Sequence, residues 1–171
     1  MIYEPSEDTF LIAEQVKKFA KGRVLDMGTG SGYLAEIALE KTKDVVAVDI
    51  SEEAIDFVKK KNIITIKSDL FSDVEGKFDL IIFNPPYLPK IKNEPKKLSI
   101  IISGGERGNE LIERFLKKAK EYLKKNGKVL IIFSSLTPNV LELFKKYKYK
   151  FKKLSEKRIF FESIYCYLLT A

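Results

Sequence analysis

Apolar and polar residues alternate along this chain with two different periods, one typical of helices and one of buried strands. Residues 6–20 carry apolar side chains at helical spacing behind Pro5, with Ser6 as the predicted N-cap. Residues 44–49 are nearly all apolar, as in a strand buried on both faces. Strands are predicted at 23–26, 44–49, 63–67, 78–83 and 128–133, and helices at 6–20, 33–40, 51–60 and 110–124. This alternation predicts βαβ units and a parallel sheet.

The end of the chain follows a different order. Residues 138–171 predict one further helix and two strands joined near Glu156 and Lys157, as an antiparallel hairpin. We therefore expect an α/β fold with a mostly parallel sheet and helices on both faces. A chain of 171 residues can bury one core, so a single domain over residues 1–171 is expected. Residues 88–108 have no predicted element, and a loop of that length in a compact domain is commonly functional.

Composition limits the expected location of the protein and the partners that it can bind. No apolar run approaches the roughly 20 residues that cross a bilayer, so no membrane span is expected, and the polar N-terminus is unlike a signal peptide. With Cys166 as the one cysteine and no histidine, we expect no internal disulfide, no metal site and a cytoplasmic location. The net charge of +7 fits a phosphate-rich partner such as nucleic acid. It fits the solvated lysine and glutamate surface of a heat-adapted protein equally well.

A glycine-rich turn joins the first predicted strand to the helix that follows. Gly28, Gly30 and Gly32 let the backbone approach a ligand at the carboxyl edge of the sheet, although tight packing of a helix on a strand also favours glycine. Their G-x-G-x-G spacing differs from the dinucleotide fingerprint G-x-G-x-x-G, which disfavours NAD. No G-K-[ST] follows the turn, which disfavours a nucleoside triphosphate.

Acidic residues lie at the ends of three successive strands. Asp49 stands about 20 residues beyond the glycines, where a carboxylate can accept both hydroxyls of a ribose; stabilising the helix that starts at Ser51 is the alternative. Asp69 can accept an adenine amino group with Leu70 packed on the ring, or can be a turn residue only. One adenosine across these positions is the more economical interpretation. Without phosphate-binding signals it indicates S-adenosyl-L-methionine, whose ammonium would suit Asp26.

The segment from Asn84 to Tyr87, Asn-Pro-Pro-Tyr, is unusually stiff. Each proline fixes φ and restricts the residue before it, so the side-chain oxygen of Asn84 and the carbonyl of Pro85 are held in place. Together they can accept both hydrogens of a planar NH₂ group, with the ring of Tyr87 beside it. Such a nitrogen is a poor nucleophile, and two fixed acceptors would direct its lone pair at a sulfonium methyl group. A rigid strand end is the alternative, and the motif does not distinguish a carboxamide from an adenine.

Taken in order, these motifs make the sequence resemble class I S-adenosylmethionine-dependent methyltransferases with an (N/D)PP(Y/F) motif. Residues 3–11 and 103–110 resemble the segments that flank the site in HemK-type protein glutamine methyltransferases, in their short archaeal and eukaryotic branch. The resemblance covers essentially the whole chain. It implies a Rossmann-like, seven-stranded sheet with an antiparallel last strand. It also implies methylation of the side-chain amide nitrogen of the glutamine in the Gly-Gly-Gln motif of class I translation termination (release) factors.

The resemblance also assigns roles to individual residues. Those that would contact the cofactor are Thr9, Asp26, Gly28, Gly30, Asp49, Asp69, Leu70 and Asn84. Those that would hold the acceptor amide are Asn84, Pro85, Pro86 and Tyr87, with Asn84, Pro85 and Tyr87 as the catalytic set. Asp26 departs from the family pattern, because many relatives have glutamate there. We expect no counterpart of the extra N-terminal recognition domain of the bacterial branch, so recognition would fall to the domain's own surface or to a partner.

Members of this branch are activated by a small zinc-binding subunit. Residues 63–67, Ile-Ile-Thr-Ile-Lys, form a sheet edge in the strand order of the family, apolar on both faces and open to strand addition. We expect the partner there; a strand covered by its own helices is the alternative. The lysines of the 88–108 loop indicate a mobile substrate lid, or only a solvated surface: Lys90, Lys92, Lys96 and Lys97.

Two rival functions share these features. An adenine N6-methyltransferase acting on DNA or RNA uses the same chemistry, but it must flip a base and hold the displaced backbone. This chain has little surface left for that, so nucleic acid is not expected as the direct substrate. The second rival is a catalytically silent cofactor-binding subunit, and the intact motif from Asn84 to Tyr87 disfavours it.

Overall fold

A computed structural model describes residues 2–90 and 102–171. The strands are β1 (Arg23–Met27), β2 (Asp44–Asp49), β3 (Ile64–Lys67), β4 (Phe78–Phe83), β5 (Leu123–Ser134), β6 (Lys150–Ile159) and β7 (Glu162–Thr170). The helices are α1 (Glu7–Phe19), α2 (Tyr33–Leu39), α3 (Glu52–Lys59), α4 (Glu110–Ala119) and α5 (Val140–Lys146), with a 3₁₀ turn over Lys120–Tyr122. Ser6 is the N-cap of α1, as predicted.

The described strands form one seven-stranded sheet in the order β3-β2-β1-β4-β5-β7-β6. The pairs β1 with β2, β1 with β4, β2 with β3 and β4 with β5 are parallel. β7 is antiparallel to both of its neighbours, β5 and β6. The predicted fold class, a mostly parallel sheet with an antiparallel last strand, is confirmed.

Successive residues of the central strands face opposite layers of helices. Val24 belongs to a buried cluster with Ile12 of α1 and Leu34 of α2. The next residue, Leu25, belongs to a second cluster with Phe115 of α4 and Phe144 of α5. Helices therefore cover both faces of the sheet, as predicted. Within residues 2–90 and 102–171, no helix has both the length and the apolar character that a membrane span requires.

One predicted boundary is wrong at the junction of α4 and β5. α4 ends at Ala119, and β5 begins at Leu123 and not at residue 128. The residues that follow Leu123 are exposed and polar (Lys124, Lys125 and Asn126), so the hydrophobic pattern does not mark them as strand. Leu123 nonetheless pairs with Phe78, ahead of a shift in the register between β4 and β5.

The predicted C-terminal hairpin is present, but its turn is not near residues 156 and 157. The turn lies at Phe160 and Phe161, between the end of β6 and the start of β7. Phe160 has φ +47, in the left-handed region that glycine or asparagine usually occupies. The turn therefore lacks the residues that would reveal it in the sequence, and the polar stretch that imitates a turn belongs to β6.

The carboxyl ends of the parallel strands meet at one edge of the sheet. The loops that follow β1, β2, β3 and β4 all begin there. Open α/β sheets bind their ligands at this edge. The fold therefore brings the glycine loop, the acidic residues and the Asn-Pro-Pro-Tyr segment to the same place.

Candidate active site

A cavity of about 730 Å³ opens at this edge of the sheet, a volume typical of cofactor and ligand sites. Its walls come from the residues before and at the start of α1, the loops after β1 to β4, and α4. The predicted site residues that line it are Gly28, Gly30, Asp49, Asp69, Leu70, Asn84, Pro85, Pro86 and Tyr87. The sequence motifs therefore converge on one cavity.

Asp49 connects the glycine loop to α3. Its Oδ2 accepts a hydrogen bond from the backbone N–H of Gly30, and its Oδ1 accepts one from the N–H of Ser51, each at 2.9 Å. Each carboxylate oxygen keeps a lone pair for a further donor such as a ribose hydroxyl. Gly28 has φ +68, and among the described residues nothing occupies the space into which a Cβ would project. A ligand can therefore approach the backbone at Gly28.

Asp26 lies behind the glycine loop and does not line the 730 Å³ cavity. It is buried, and its Oδ2 accepts a hydrogen bond of 2.6 Å from the hydroxyl of Thr29. Burial raises the pKa of Asp26 to about 6. The direct contact of this carboxylate in the structure is thus with the loop, and its predicted contact with a cofactor ammonium stays a prediction.

Thr9 also lies outside the lining of the main cavity. It lines a small neighbouring pocket together with Gly28 and Asn84, and its hydroxyl is 3.4 Å from the amide nitrogen of Asn84. Its backbone N–H and its hydroxyl also donate to Asp8, at 2.6 and 3.2 Å, so Thr9 contacts the site through both Asn84 and Asp8.

Asp69 and Leu70 lie in the loop after β3, as predicted, but Asp69 has a partner that the sequence does not reveal. The guanidinium of Arg114, on α4, donates to Asp69 Oδ2 at 2.7 Å. Both side chains are about half exposed and line the cavity. Leu70 has φ +52 and packs against the buried cluster beneath the sheet. The ion pair between Asp69 and Arg114 closes the cavity on the α4 side.

Asn84 is held with its amide in a defined orientation. Its Nδ2 donates to Asp8 Oδ2 at 3.3 Å and to the hydroxyl of Thr9 at 3.4 Å. Its Oδ1 is buried and has no hydrogen-bond partner among the described residues. A buried acceptor without a partner costs about 1–3 kcal/mol. Asn84 therefore retains an unused acceptor in a site where the sequence predicts that an NH₂ group binds.

Asp8 is the centre of the hydrogen bonds that fix this orientation. Its side chain is 4% exposed, and its Oδ2 accepts from Tyr87 at 3.1 Å as well as from Asn84. Its Oδ1 accepts from the hydroxyls of Tyr3, Ser6 and Thr9 and from the backbone N–H of Thr9. Burial raises the pKa of the Tyr87 hydroxyl well above its ordinary value, so Tyr87 stays protonated and donates to Asp8.

Two further segments support the Asn-Pro-Pro-Tyr loop. The hydroxyl of Thr137 donates to the carbonyl of Tyr87 at 2.8 Å. The N–H of Leu88 donates to the carbonyl of Ile102, and the N–H of Gly104 donates to the carbonyl of Leu88, each at 3.0 Å. The segment 103–110, which the resemblance places beside the site, therefore lies beside it in the structure.

The predicted lysine-rich lid is described only in part. Lys90 forms an ion pair with Glu106 at 3.1 Å. The other three lysines of that prediction lie outside the described residues: Lys92, Lys96 and Lys97.

Many residues of the cavity wall have no predicted role in the site, and three of them are informative. Asp8 falls within the segment that resembles the family, but an acid in the first turn of a helix ordinarily indicates only an interaction with the helix dipole. Arg114 looks like a solvent-facing charge on α4. Ile50, which is exposed and lines the cavity, follows Asp49 without a pattern of its own. Their positions depend on long-range contacts that no local pattern encodes.

Sheets with this strand order and a ligand cavity at the carboxyl ends of β1 to β4 are the architecture of class I S-adenosylmethionine-dependent methyltransferases, and the chain has the same arrangement. The model of the methyltransferase small domain family matches residues 6–158, so the chain belongs to that family. The predicted family, enzyme class and S-adenosyl-L-methionine cofactor are confirmed.

Individual relatives are consistent with this family. A Methanocaldococcus jannaschii protein, provisionally named protein N5-glutamine methyltransferase, is 39% identical over 145 residues, which are 80% of this chain and 74% of that protein. The release factor glutamine methyltransferase of Streptococcus pneumoniae is 36% identical over 153 residues, 80% of this chain and 52% of that enzyme. The chain thus spans about half the length of the bacterial enzyme.

A solved structure is similar to this chain over nearly its whole length. The chain superposes with a TM-score of 0.80 and 25% identity on a chain of the E. cuniculi Mtq2-Trm112 complex, which is responsible for methylation of the eRF1 translation termination factor. The superposition covers 98% of this chain and 97% of the other.

Proposed function

We propose that this protein transfers the methyl group of S-adenosyl-L-methionine to the side-chain amide nitrogen of a glutamine in a class I translation termination factor, in its Gly-Gly-Gln motif. The observation that carries the proposal is the orientation of Asn84, which leaves a buried acceptor unused beside Pro85. The names of the two relatives support glutamine as the acceptor group, and the function of the Mtq2-Trm112 complex supports a termination factor as the substrate.

The residues around the acceptor act by orientation and by charge stabilisation. Asn84 Oδ1 and the Pro85 carbonyl accept the two N–H groups of the glutamine amide, while Tyr87 packs beside its plane. These bonds orient the lone pair of the nitrogen. They also stabilise the positive charge that develops on the N–H groups as the nitrogen bonds to the methyl carbon. S-Adenosyl-L-methionine, when bound, supplies a methyl group on a positively charged sulfur.

No histidine base is required by this arrangement, and the chain contains none. The amide nitrogen becomes acidic only as its new bond to carbon forms, so its proton can leave to water after the transfer. Gly28, Gly30 and Asp49 would hold the adenosyl ligand on the other side of the cavity, with Asp69 and Leu70 at its adenine end.

A labelling experiment tests the acceptor. The protein and methyl-labelled S-adenosyl-L-methionine are incubated with an intact termination factor, with the same factor carrying Gln→Ala in its Gly-Gly-Gln motif, and with adenine-containing DNA and RNA. We expect label in the intact factor alone, located by mass spectrometry on the glutamine. Label in nucleic acid alone, or equal label in the two factors, would exclude the proposal.

The Asn84→Ala variant separates catalysis from binding. It removes one of the two acceptors, so turnover should be lost while the affinity for S-adenosyl-L-methionine changes little. A variant that keeps wild-type turnover would remove Asn84 from the mechanism and would revive the interpretation of the motif as a rigid strand end.

We further propose that a small zinc-binding protein binds the edge strand, as Trm112 accompanies Mtq2 in its complex. β3 is the outermost strand on its side of the sheet, and Ile64 is 61% exposed there. Ile64→Lys should abolish co-elution with a Trm112-type protein in gel filtration. Leu39→Lys, at another exposed apolar residue on α2, is the control. An unaltered complex with Ile64→Lys would remove the proposal.

A further inference from the structure

The turn between β6 and β7 presents two large apolar side chains to solvent. Phe160 is 90% exposed and Phe161 is 99% exposed. Phe160 also has φ +47, a strained conformation for a bulky residue. Asparagine or glycine would relieve the strain and remove the apolar exposure together, so the stability of the fold does not account for these residues. We call Phe160 and Phe161 the aromatic tip.

The aromatic tip lies on the active-site edge of the sheet. β7 begins beside the carboxyl end of β5, where Ser134 pairs with Ile164. The N–H of Ser135 donates to the carbonyl of Ser163 at 2.8 Å, and the N–H of Ser163 donates to the Ser135 hydroxyl at 3.0 Å. The start of β7 is therefore fixed to the loop that follows β5.

The same loop holds the catalytic segment. Thr137, two residues beyond Ser135, donates to the carbonyl of Tyr87. Leu136, between them in the sequence, is 52% exposed and adds apolar surface to this loop. On the other side of the hairpin, Lys157 forms an ion pair with Glu7, the neighbour of Asp8. The hydrogen bonds between Ser135 and Ser163 therefore hold the start of β7 on the acceptor side of the cavity, and the exposed ion pair of Lys157 places β6 next to the start of α1.

We propose that the aromatic tip, together with Leu136, is the docking surface for the folded body of the protein that carries the acceptor glutamine; this rests on the proposed function. A Gly-Gly-Gln loop offers two residues without side chains, so the cavity itself can recognise little beyond the glutamine. Selection of one protein therefore needs contacts outside the cavity. Exposed aromatic residues are enriched in such interfaces and contribute much of their binding energy.

The size of the surface favours a transient substrate over a second copy of this chain. Each phenylalanine can bury roughly 150–250 Å². A stable protein dimer buries about 800 Å² on each partner, which the tip cannot supply by itself. An enzyme must release its product, so a small apolar contact suits an encounter that ends after each turnover.

The test compares an intact termination factor with a short Gly-Gly-Gln peptide as substrates of the full-length protein. In the double variant Phe160→Asn/Phe161→Ser, KM for the intact factor should rise about tenfold, the loss expected for an anchor of an interface. The kcat on the factor, both constants for the peptide and the affinity for the cofactor should stay at wild-type values. Leu39→Ser, at an exposed apolar residue outside the tip, is the matched control and should change none of them.

Different outcomes separate this inference from the function on which it rests. If the wild-type protein methylates the factor and the double variant has the same KM, the docking surface is overturned and the proposed function stands. If the variant loses activity on the factor and the peptide alike, the tip acts within the catalytic site, and docking is again overturned. If the wild-type protein methylates neither substrate, alone or together with a Trm112-type protein, both proposals fail. A wild-type dimer that the double variant converts to a monomer in sedimentation would assign the tip to a second copy and overturn the inference.

Discussion

Replacing Asp8 by asparagine tests the central hydrogen bonds of the acceptor site with the smallest change of shape. Oδ1 of Asp8 accepts from Tyr3, Ser6 and Thr9, so the introduced amide should keep its oxygen on that side. Its NH₂ group then takes the place of Oδ2 and faces Nδ2 of Asn84, 3.3 Å away in the wild-type protein. Two donors face each other, and the repulsion is relieved when the Asn84 amide turns over.

The inverted amide has a large predicted effect on turnover. Nδ2 of Asn84 would point toward the glutamine NH₂ group, so one of the two acceptors becomes a donor. Losing a hydrogen bond to a carboxylate and one oriented acceptor is worth roughly 3 kcal/mol, which corresponds to about a 100-fold fall in kcat. The cofactor contacts are made by other loops, so the affinity for S-adenosyl-L-methionine should change little.

The assay is methyl transfer to a Gly-Gly-Gln peptide at saturating cofactor. Glu7→Gln is the matched control, because it makes the same chemical change on the preceding residue, whose side chain is exposed. It should keep kcat within about twofold, as expected for an exposed ion pair. A value for Asp8→Asn within threefold of wild type, or a loss confined to cofactor affinity, would refute the positioning role of Asp8.

Three further changes test other parts of the molecule. Asp49→Asn leaves one oxygen to accept from the N–H groups of Gly30 and Ser51 and from the ribose. Cofactor binding, measured by calorimetry, should therefore weaken about tenfold or more, and an unchanged affinity would contradict the predicted ribose contact. Asp26 has a folded-state pKa raised from 3.8 to about 6, so its ionisation opposes folding, and its contribution to stability falls as pH rises between these values and is level above them. Asp26→Asn should remove that contribution and stabilise the protein by up to roughly 3 kcal/mol at pH 7, measured by urea unfolding of both proteins at several pH values; a difference between the variant and the wild type that does not grow from about pH 4 to about pH 6 would contradict the assignment. Gly32→Ala would bring a Cβ to 2.9 Å from Val58 at a φ of +78 and should cost about 1–3 kcal/mol in the same unfolding assay; unchanged stability would contradict the close packing.

Much of the fold follows from the sequence because local pattern and tertiary environment agree. Residues 44–49 and 78–83 are apolar runs, and each is a strand inside the parallel part of the sheet. The hydrophobic pattern does not predict the parts of strands and turns that lie outside the buried core. The buried first residue of β5 is followed by exposed Lys124 and Lys125, and the turn at Phe160 and Phe161 uses residues that normally belong inside a protein. In both places, strand pairing determines the structure and burial does not.

The residues of the site also form two groups, those that the sequence predicts and those that it does not. Gly28, Asp49 and Asn84 follow directly from the ends of predicted strands, so their convergence can be deduced from the topology rule for parallel sheets. Asp8 and Arg114 cannot be found like this. Asp8 becomes a site residue through partners 76 and 79 positions away, and Arg114 through a partner 45 positions away. Only folding shows that these helix residues face the cavity.

The cofactor side and the acceptor side of the cavity are held by different elements. A substitution on one side should therefore change either cofactor binding or methyl transfer and leave the other unchanged. On the cofactor side, hydrogen bonds join the ends of neighbouring strands, as between Asp49 and Gly30. On the acceptor side, the start of α1 and the loop after β5 hold the catalytic segment through Asp8 and Thr137. A change at either of these two residues moves the acceptors and leaves the strand ends in place, so it should lower kcat at constant cofactor affinity. A change at Asp49 should do the reverse, because the acceptor network does not include it.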